Sequence, residues 1–350
     1  MNRKNMTEKR KSDHLKPFHE GGVEALESAW FEYVRLIHQA LPECDLAEIS
    51  LKTRFAGHDF EAPLFITGMT GGTAEARDIN IALAKVAERH GLAFGLGSQR
   101  AMLENPELTA SYDVRAAAPH VFLAGNLGAV QLLGVTTESL KKMLASIKAD
   151  ALCIHLNVAQ ELTQPEGDRN FSGILKALER TVKALELPLI VKETGAGICR
   201  ETAEKLASAG VRYFDLSGRG GTSWTGVELL RRGRNDINTE SFWNWGIPTA
   251  AALMEMQYSK FEFMASGGVR NSLDAAKALS FGASMFGMAS PLIQAYFADG
   301  EQGVETLVAE ILDGLRKFML LTGCKDIQSL HKTPKVISGP LLEWQMQRNK

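Results

Sequence analysis

The stretch Phe261–Ser290 reads FEFMASGGVRNSLDAAKALSFGASMFGMAS, and its layout decides the fold. Two short apolar runs, Phe261–Ala265 and Ser284–Met288, are each followed by small residues that let backbone N–H groups approach a ligand. The first ends in Ser266-Gly267-Gly268-Val269-Arg270, two glycines and a cation. The second ends in Gly287-Met288-Ala289-Ser290-Pro291, where a serine and a proline suit a helix start. One helix, Asn271 to Phe281, fits between them. Strand, Gly-Gly-x-Arg, helix, strand, Gly-x-x-Ser is the phosphate grip that follows the last two strands of a (β/α)8 barrel. Two ordinary tight turns are the plainer alternative, but two correlated loops favour the grip.

Upstream, the same alternation repeats. Strand patterns fall at Pro63–Thr67, Ala93–Leu96, Val121–Ala124, Ala151–Leu156, Pro188–Lys192 and Tyr213–Leu216, which with the two above makes eight. Helical patterns fill the intervals; Ala74–His90, for instance, aligns Ile79, Leu83, Val86 and Ala87 and stops at Gly91. The expectation is an α/β protein, a closed (β/α)8 TIM barrel over residues 63–325, rather than an open doubly wound sheet. Residues 1–62 read as an extension: a basic arm, an apolar helical stripe over Leu26–Leu41, and a hairpin over Leu46–Glu61 able to plug the barrel floor. Val304–Leu321 reads as the last helix and residues 326–350 as a C-terminal tail. The long interval Gly218–Lys260, with Trp224, Trp243 and Trp245, reads as a lid or an interface.

With 350 residues and 45% hydrophobic content, the chain can bury a sizeable core and accommodates a barrel of roughly 250 residues plus extensions. A net charge of -2 argues against a nucleic-acid binder held by electrostatics. Four cysteines, Cys44, Cys153, Cys199 and Cys324, lack paired metal spacing and read as reduced thiols of a cytoplasmic protein. Met1–Glu20 has no apolar core, so no secretory signal is expected. No apolar run reaches the roughly 18 residues of a membrane span, so no membrane association is expected either.

A barrel site is built from residues just after the strands. Here these are Thr67-Gly68-Met69-Thr70-Gly71-Gly72, Gly97-Ser98-Gln99-Arg100, Asn126, then His155, Asn157, Gln160 and Glu161, Lys192, and Ser217-Gly218-Arg219-Gly220-Gly221-Thr222. His155 and Asn157, two apart on a strand, face the mouth if Cys153 faces inward; a satisfied core histidine is the alternative. Lys192 ends an apolar strand, where an unpaired ammonium is costly, so it should face a flavin N1–C2 carbonyl edge or form a plain ion pair with Glu193 or a neighbour. Gln160–Arg169 brings Glu161, Glu166 and Asp168 into one loop, and one carboxylate with phosphate oxygens and water is how such sites hold Mg²⁺. The bland reading is a polar loop with Asp168 as a helix N-cap. Arg10, Lys11 and His14 of the arm, with Arg100, can close over a diphosphate, or the arm is simply solvated.

Taken together, these residues resemble those of the type 2 isopentenyl-diphosphate isomerases, FMN-dependent barrel enzymes. The likeness runs from Arg10-Lys11-x-x-His14 through Thr67–Gly72, Gly97–Arg100, His155-Leu156-Asn157 and Gln160-Glu161 with Gln164-Pro165-Glu166-Gly167-Asp168. It continues through Lys192-Glu193, Gly218-x-Gly220-Gly221-Thr222-Ser223-Trp224, Trp245–Thr249 and Gly267-Gly268-x-Arg270. The resemblance implies FMN held by Thr67, Gly68, Met69, Ser98, Asn126, Lys192, Ser217 and Thr222, its phosphate by Gly267, Gly268, Arg270, Ala289 and Ser290. It implies a substrate diphosphate at Arg10, Lys11, His14, Ser98 and Arg100, a catalytic group of His155, Asn157 and Gln160 that also contacts substrate, and Mg²⁺ on Glu161. The implied reaction converts isopentenyl diphosphate to dimethylallyl diphosphate by proton addition and elimination with no net redox change. By the same resemblance, reduced FMN exchanges the proton and faces the cationic charge, and NADPH serves only to reduce the flavin; the aromatic interval and the arm suggest contacts between subunits, hence a homo-oligomer.

The rival reading is an FMN-dependent 2-hydroxy-acid oxidase or dehydrogenase, whose base is a histidine after the sixth strand; Ser217–Thr222 contains none. A phospho-ligand sensor on the same barrel would have no need of Gln160 and Glu161.

Overall fold

The apolar stripe between Leu26 and Leu41 does not wind into an α-helix. In the computed structural model, which describes residues 22–232 and 238–348, it forms a 3₁₀ turn, Phe31–Tyr33, and a short strand β1, Val34–Leu36. Trp30 takes the left-handed conformation, φ 67°, which no α-helix continues through. β1 instead pairs antiparallel with Lys335–Ile337 near the other end of the chain. That distant partner decides the conformation.

β2, Thr53–Phe55, and β3, His58–Phe60, form the expected hairpin. Then come β4 (Leu64–Ile66), β5 (Ala93–Gly95), β6 (Phe122–Gly128), β7 (Ala151–His155), β8 (Leu189–Lys192), β9 (Tyr213–Asp215), β10 (Glu262–Ala265) and β11 (Met285–Met288). They close in chain order into a parallel barrel, sealed where β11 meets β4 at Phe286 and Leu64. All eight expected strands are present. Some helices between them begin on side-chain caps: Thr73 accepts from the Ala76 N–H, and Asn271 from the Asp274 N–H.

Strand periodicity then builds the barrel in layers. Phe65, Ala124, Cys153, Ile190, Met264 and Met285 face inward as one apolar cluster. Two residues further on, the inward positions turn polar or small: Thr67, Asn126, His155, Lys192, Asp215, Ser266 and Gly287. The floor is the hairpin, whose Phe55, Ala56 and Phe60 join the interior cluster. It is tied to the strand starts by Thr53 Oγ1 donating to the Ser284 carbonyl at 2.8 Å and the Ala56 N–H donating to Glu262 Oε2 at 3.2 Å. Phe55→Ala is expected to cost about 3–5 kcal/mol, read as a shift in urea midpoint; a loss below about 1 kcal/mol would mean the plug does not seal the floor.

The last helix is longer than expected, Ser290–Leu321, with a break at Asp299 and Gly300. The chain beyond it is no bare tail. It carries helices Ile327–His331 and Gly339–Arg348 around the strand that pairs with β1. Glu255, buried, accepts from Trp344 Nε1 at 2.9 Å and Arg348 Nε at 2.8 Å, and Trp344 meets Trp30 edge to face at 6.1 Å. The interval after β9 is also ordered, into Trp224–Arg232, Thr239–Trp243 and Thr249–Met256. Among the described residues no helix is long and apolar enough to cross a membrane.

Candidate active site

Two adjoining cavities open at the C-terminal ends of the barrel strands. They share Gly68, Met69, Lys192, Thr194 and Trp224, so they form one cleft with two ends. Arg10, Lys11 and His14 lie outside the described residues. Every other residue implied to hold FMN, substrate or Mg²⁺ or to act in catalysis lines the cleft. Thr67, Ser217, Thr222, Gly267, Gly268, Arg270, Ala289 and Ser290 sit at one end. Ser98, Arg100, Asn126, His155, Asn157, Gln160 and Glu161 sit at the other.

The first end is a cradle for an anion. Gly267 and Gly268 have φ of 92° and 78°, and a Cβ on Gly267 would lie 2.0 Å from the Gly218 carbonyl oxygen. Only glycine lets the loops after β9 and β10 press together this closely. Ser290 opens the Ser290–Leu321 helix, with Pro291 in its first turn, so its N–H end faces the same space. The guanidinium of Arg270 pairs with the carboxylate of Glu24, whose other oxygen accepts from Ser290 Oγ at 3.1 Å. The protein's own carboxylate thus stands where a phosphate would be held, and a phosphate group fits that donor set. Glu24 carries no motif, and the sequence offers no signal for it; it is placed by backbone hydrogen bonds from Ala25 to Gly221 and from Ser223 to Val23.

Between the ends lies Lys192. Its ammonium donates to the backbone carbonyl of Glu193 at 2.5 Å, not to the Glu193 carboxylate, so the ion pair with Glu193 considered above does not form. That carboxylate turns to the N–H groups of Thr194, 2.6 Å, and Ala196; burial pushes it up to about 7 against those donors and the Lys192 charge. Beside Lys192 on β9, buried Asp215 accepts from Ser266 Oγ at 2.5 Å, and burial raises its carboxyl against the pull of Lys192. Ser217 holds a left-handed φ of 39°, and its carbonyl accepts from Gly195 and Gly197, locking the loops after β8 and β9 together. Cys153, deeper in the barrel, has its thiol pushed up to about 12 by burial and is no nucleophile.

At the second end, Gln160 and Glu161 sit on a short helix, Val158–Thr163, that starts directly from β7. Asn157 Nδ2 donates to Gln160 Oε1 at 3.3 Å and to Glu161 Oε1 at 3.0 Å, and the Asp168 N–H donates to Glu161 Oε2 at 2.8 Å. Asp168 therefore caps no helix; the next one, Ile174–Ala184, begins at Gly173. Of the loop's three carboxylates only Glu161 lines the cleft, while Glu166 pairs with Arg231 at 2.5 Å. Glu228, fully buried, takes the Nε2 groups of Gln160 at 3.2 Å and Gln164 at 2.5 Å on one oxygen and Arg231 Nε on the other. A lone carboxylate on the Trp224–Arg232 helix gives no sequence signal of this role. Arg100 is tied to Glu104 at 3.0 Å. Arg219 turns away from both cavities, pairing with Glu27 and lying 5.9 Å over the Trp30 ring.

One cleft thus joins an anion cradle to an amide, imidazole and carboxylate cluster across a single lysine. The FMN-dependent dehydrogenase family profile matches residues 169–337, which include that lysine and the loops after β10 and β11. The chain is 43% identical to an isopentenyl-diphosphate delta-isomerase of Pyrococcus abyssi, covering 97% of this chain and 95% of that protein. It is 43% identical to one of Methanosarcina acetivorans, covering 98% and 96%. Solved structures of similar shape include a mandelate oxidase mutant with (S)-mandelic acid, TM-score 0.67 at 18% identity, covering 93% of this chain and 94% of that one. Another is a flavocytochrome b2 variant with sulfite bound, TM-score 0.65 at 18% identity over 91% and 81%. These two share the barrel alone, whereas likeness at 43% identity over nearly the full length means that the chain belongs to the isopentenyl-diphosphate delta-isomerase family, in its FMN-dependent type 2 form.

Proposed function

We propose that this protein interconverts isopentenyl diphosphate and dimethylallyl diphosphate by adding and removing protons, with reduced FMN resident in the cleft and no net redox change. What carries this reading is the near full-length identity to the isomerases, joined to a cleft with two ends that share Lys192. The cradle of Gly267, Gly268, Arg270, Ala289 and Ser290 suits the cofactor phosphate; Thr67, Gly68, Met69, Ser98, Asn126, Lys192, Ser217 and Thr222 line the path for its ring. When bound and reduced, FMN supplies an electron-rich ring that can take and return a proton beside positive charge.

The chain's own residues do the rest. Ser98, Arg100 and His155, with Arg10, Lys11 and His14 of the arm, suit the substrate diphosphate. Glu161 keeps lone pairs beyond those used by Asn157 and Asp168, and one carboxylate plus phosphate oxygens and waters suits Mg²⁺. Gln160 is too weak an acid to protonate an alkene, so it positions the reacting carbons, clamped by Asn157 and Glu228. NADPH is needed only to reduce the flavin. A cytoplasmic setting suits four free thiols, and subunit contacts would cover Trp245, now 67% exposed.

The test is anaerobic turnover of isopentenyl diphosphate with FMN, Mg²⁺ and a little NADPH. Many product molecules per NADPH are expected; none, with flavin bound and reduced, would overturn the reading in favour of 2-hydroxy acids. Glu161→Ala is expected to raise KM about 10- to 100-fold at limiting Mg²⁺ with bound FMN unchanged. Loss of flavin from that variant would instead make Glu161 a structural residue.

A further inference from the structure

Asn126 is held on every side. Its N–H donates to Gln99 Oε1 at 2.9 Å, and its carbonyl accepts from the Gln99 N–H at 2.8 Å. Gln99 is itself wholly buried. In the side chain, Nδ2 donates to the Leu96 carbonyl at 2.9 Å. A carbonyl oxygen can only accept, so the amide cannot be flipped there, and Oδ1 is the atom 2.8 Å from His155 Nδ1. An amide oxygen can only accept too. The hydrogen of that bond must sit on Nδ1.

Resting on the function proposed above for what binds at this end of the cleft, we propose that Asn126 is a positioning residue: it fixes His155 as the Nδ1–H tautomer and makes Nε2 the nitrogen that gains and loses a proton. A neutral ring of this tautomer offers a lone pair at Nε2, which repels a phosphate oxygen, so a diphosphate engages it only once Nε2 is protonated. Substrate binding then takes up a proton at this ring. Glycine at 128 leaves room beside this nitrogen, because a Cβ there would stand 2.0 Å from Gln131 Oε1 and 3.0 Å from Nε2. The second hydrogen of Asn126 Nδ2 remains the one it can offer a flavin carbonyl, so both roles coexist.

The experiment is long-range ¹H–¹⁵N correlation spectroscopy of the holoenzyme labelled in its histidine rings, with His155→Gln to assign the signals. At a pH where His155 is neutral, protonated Nδ1 and bare Nε2 are expected, and inorganic pyrophosphate should protonate Nε2. Asn126→Ala should lose the tautomer preference, in apo and flavin-loaded protein alike, and raise KM about 10-fold. A protonated Nε2 with bare Nδ1 in the unaltered enzyme, or the original tautomer persisting in Asn126→Ala, overturns the proposal. Expected tautomers together with an Nε2 indifferent to bound pyrophosphate would support the positioning role and count against the diphosphate reading of this end instead.

Discussion

Arg270→Ala is expected to purify colourless, with FMN affinity lowered about 100-fold, the scale of losing a charged hydrogen-bonding partner worth about 2–3 kcal/mol. The guanidinium is the cradle's cation and already carries an anion, the Glu24 carboxylate, shared with Ser290. Removing it leaves Gly267, Gly268 and the helix start at Ser290, which offer N–H groups but no full charge. The barrel should survive, since Arg270 lies beyond β10 and the interior cluster does not include it. Flavin titration followed by fluorescence quenching checks the value. Full yellow colour in the variant would place the phosphate elsewhere. Glu24→Gln is the matched control: it removes the competing charge and should tighten flavin binding.

The second large effect is at Gln160. Gln160→Leu should lower kcat by about 10²- to 10³-fold with bound flavin and melting temperature nearly unchanged, the scale of losing a positioned group at the reacting centre. The amide is aimed from both sides, Oε1 by Asn157 and Nε2 by Glu228. Leucine fills similar volume, and Glu228 keeps Gln164 and Arg231 as partners, so the buried carboxylate is not orphaned. Turnover with fully reduced flavin is the measurement. A drop below about 10-fold would remove Gln160 from the chemistry.

Much of this was legible in the chain. The eight strands could be read because each is a short apolar run bounded by glycine and polar residues, and the cleft followed from asking what comes after each strand. What stayed hidden depends on partners far away. Leu26–Leu41 has helical spacing, yet β1 answers to Lys335–Ile337, about three hundred residues on. Glu24 and Glu228 are single carboxylates without a motif, and only the folded chain brings them to Arg270 and Gln160. The last residues read as a tail because the partners of Trp344, Trp30 and Glu255, lie far away in sequence.

That C-terminal pairing reaches the cleft. The Ser338 N–H donates to the Tyr33 carbonyl at 3.0 Å, Trp344 braces Trp30, and just upstream Ala29 packs where a side chain on Gly220 or Gly268 would otherwise stand. Glu24, Ala29 and the glycine loops after β9 and β10 are thus buttressed by residues 335–348. A polypeptide cut short after the barrel would have all its strands and still lack the strut behind those loops, so its grip on an anion should report on residues 335–348 as well as on the barrel.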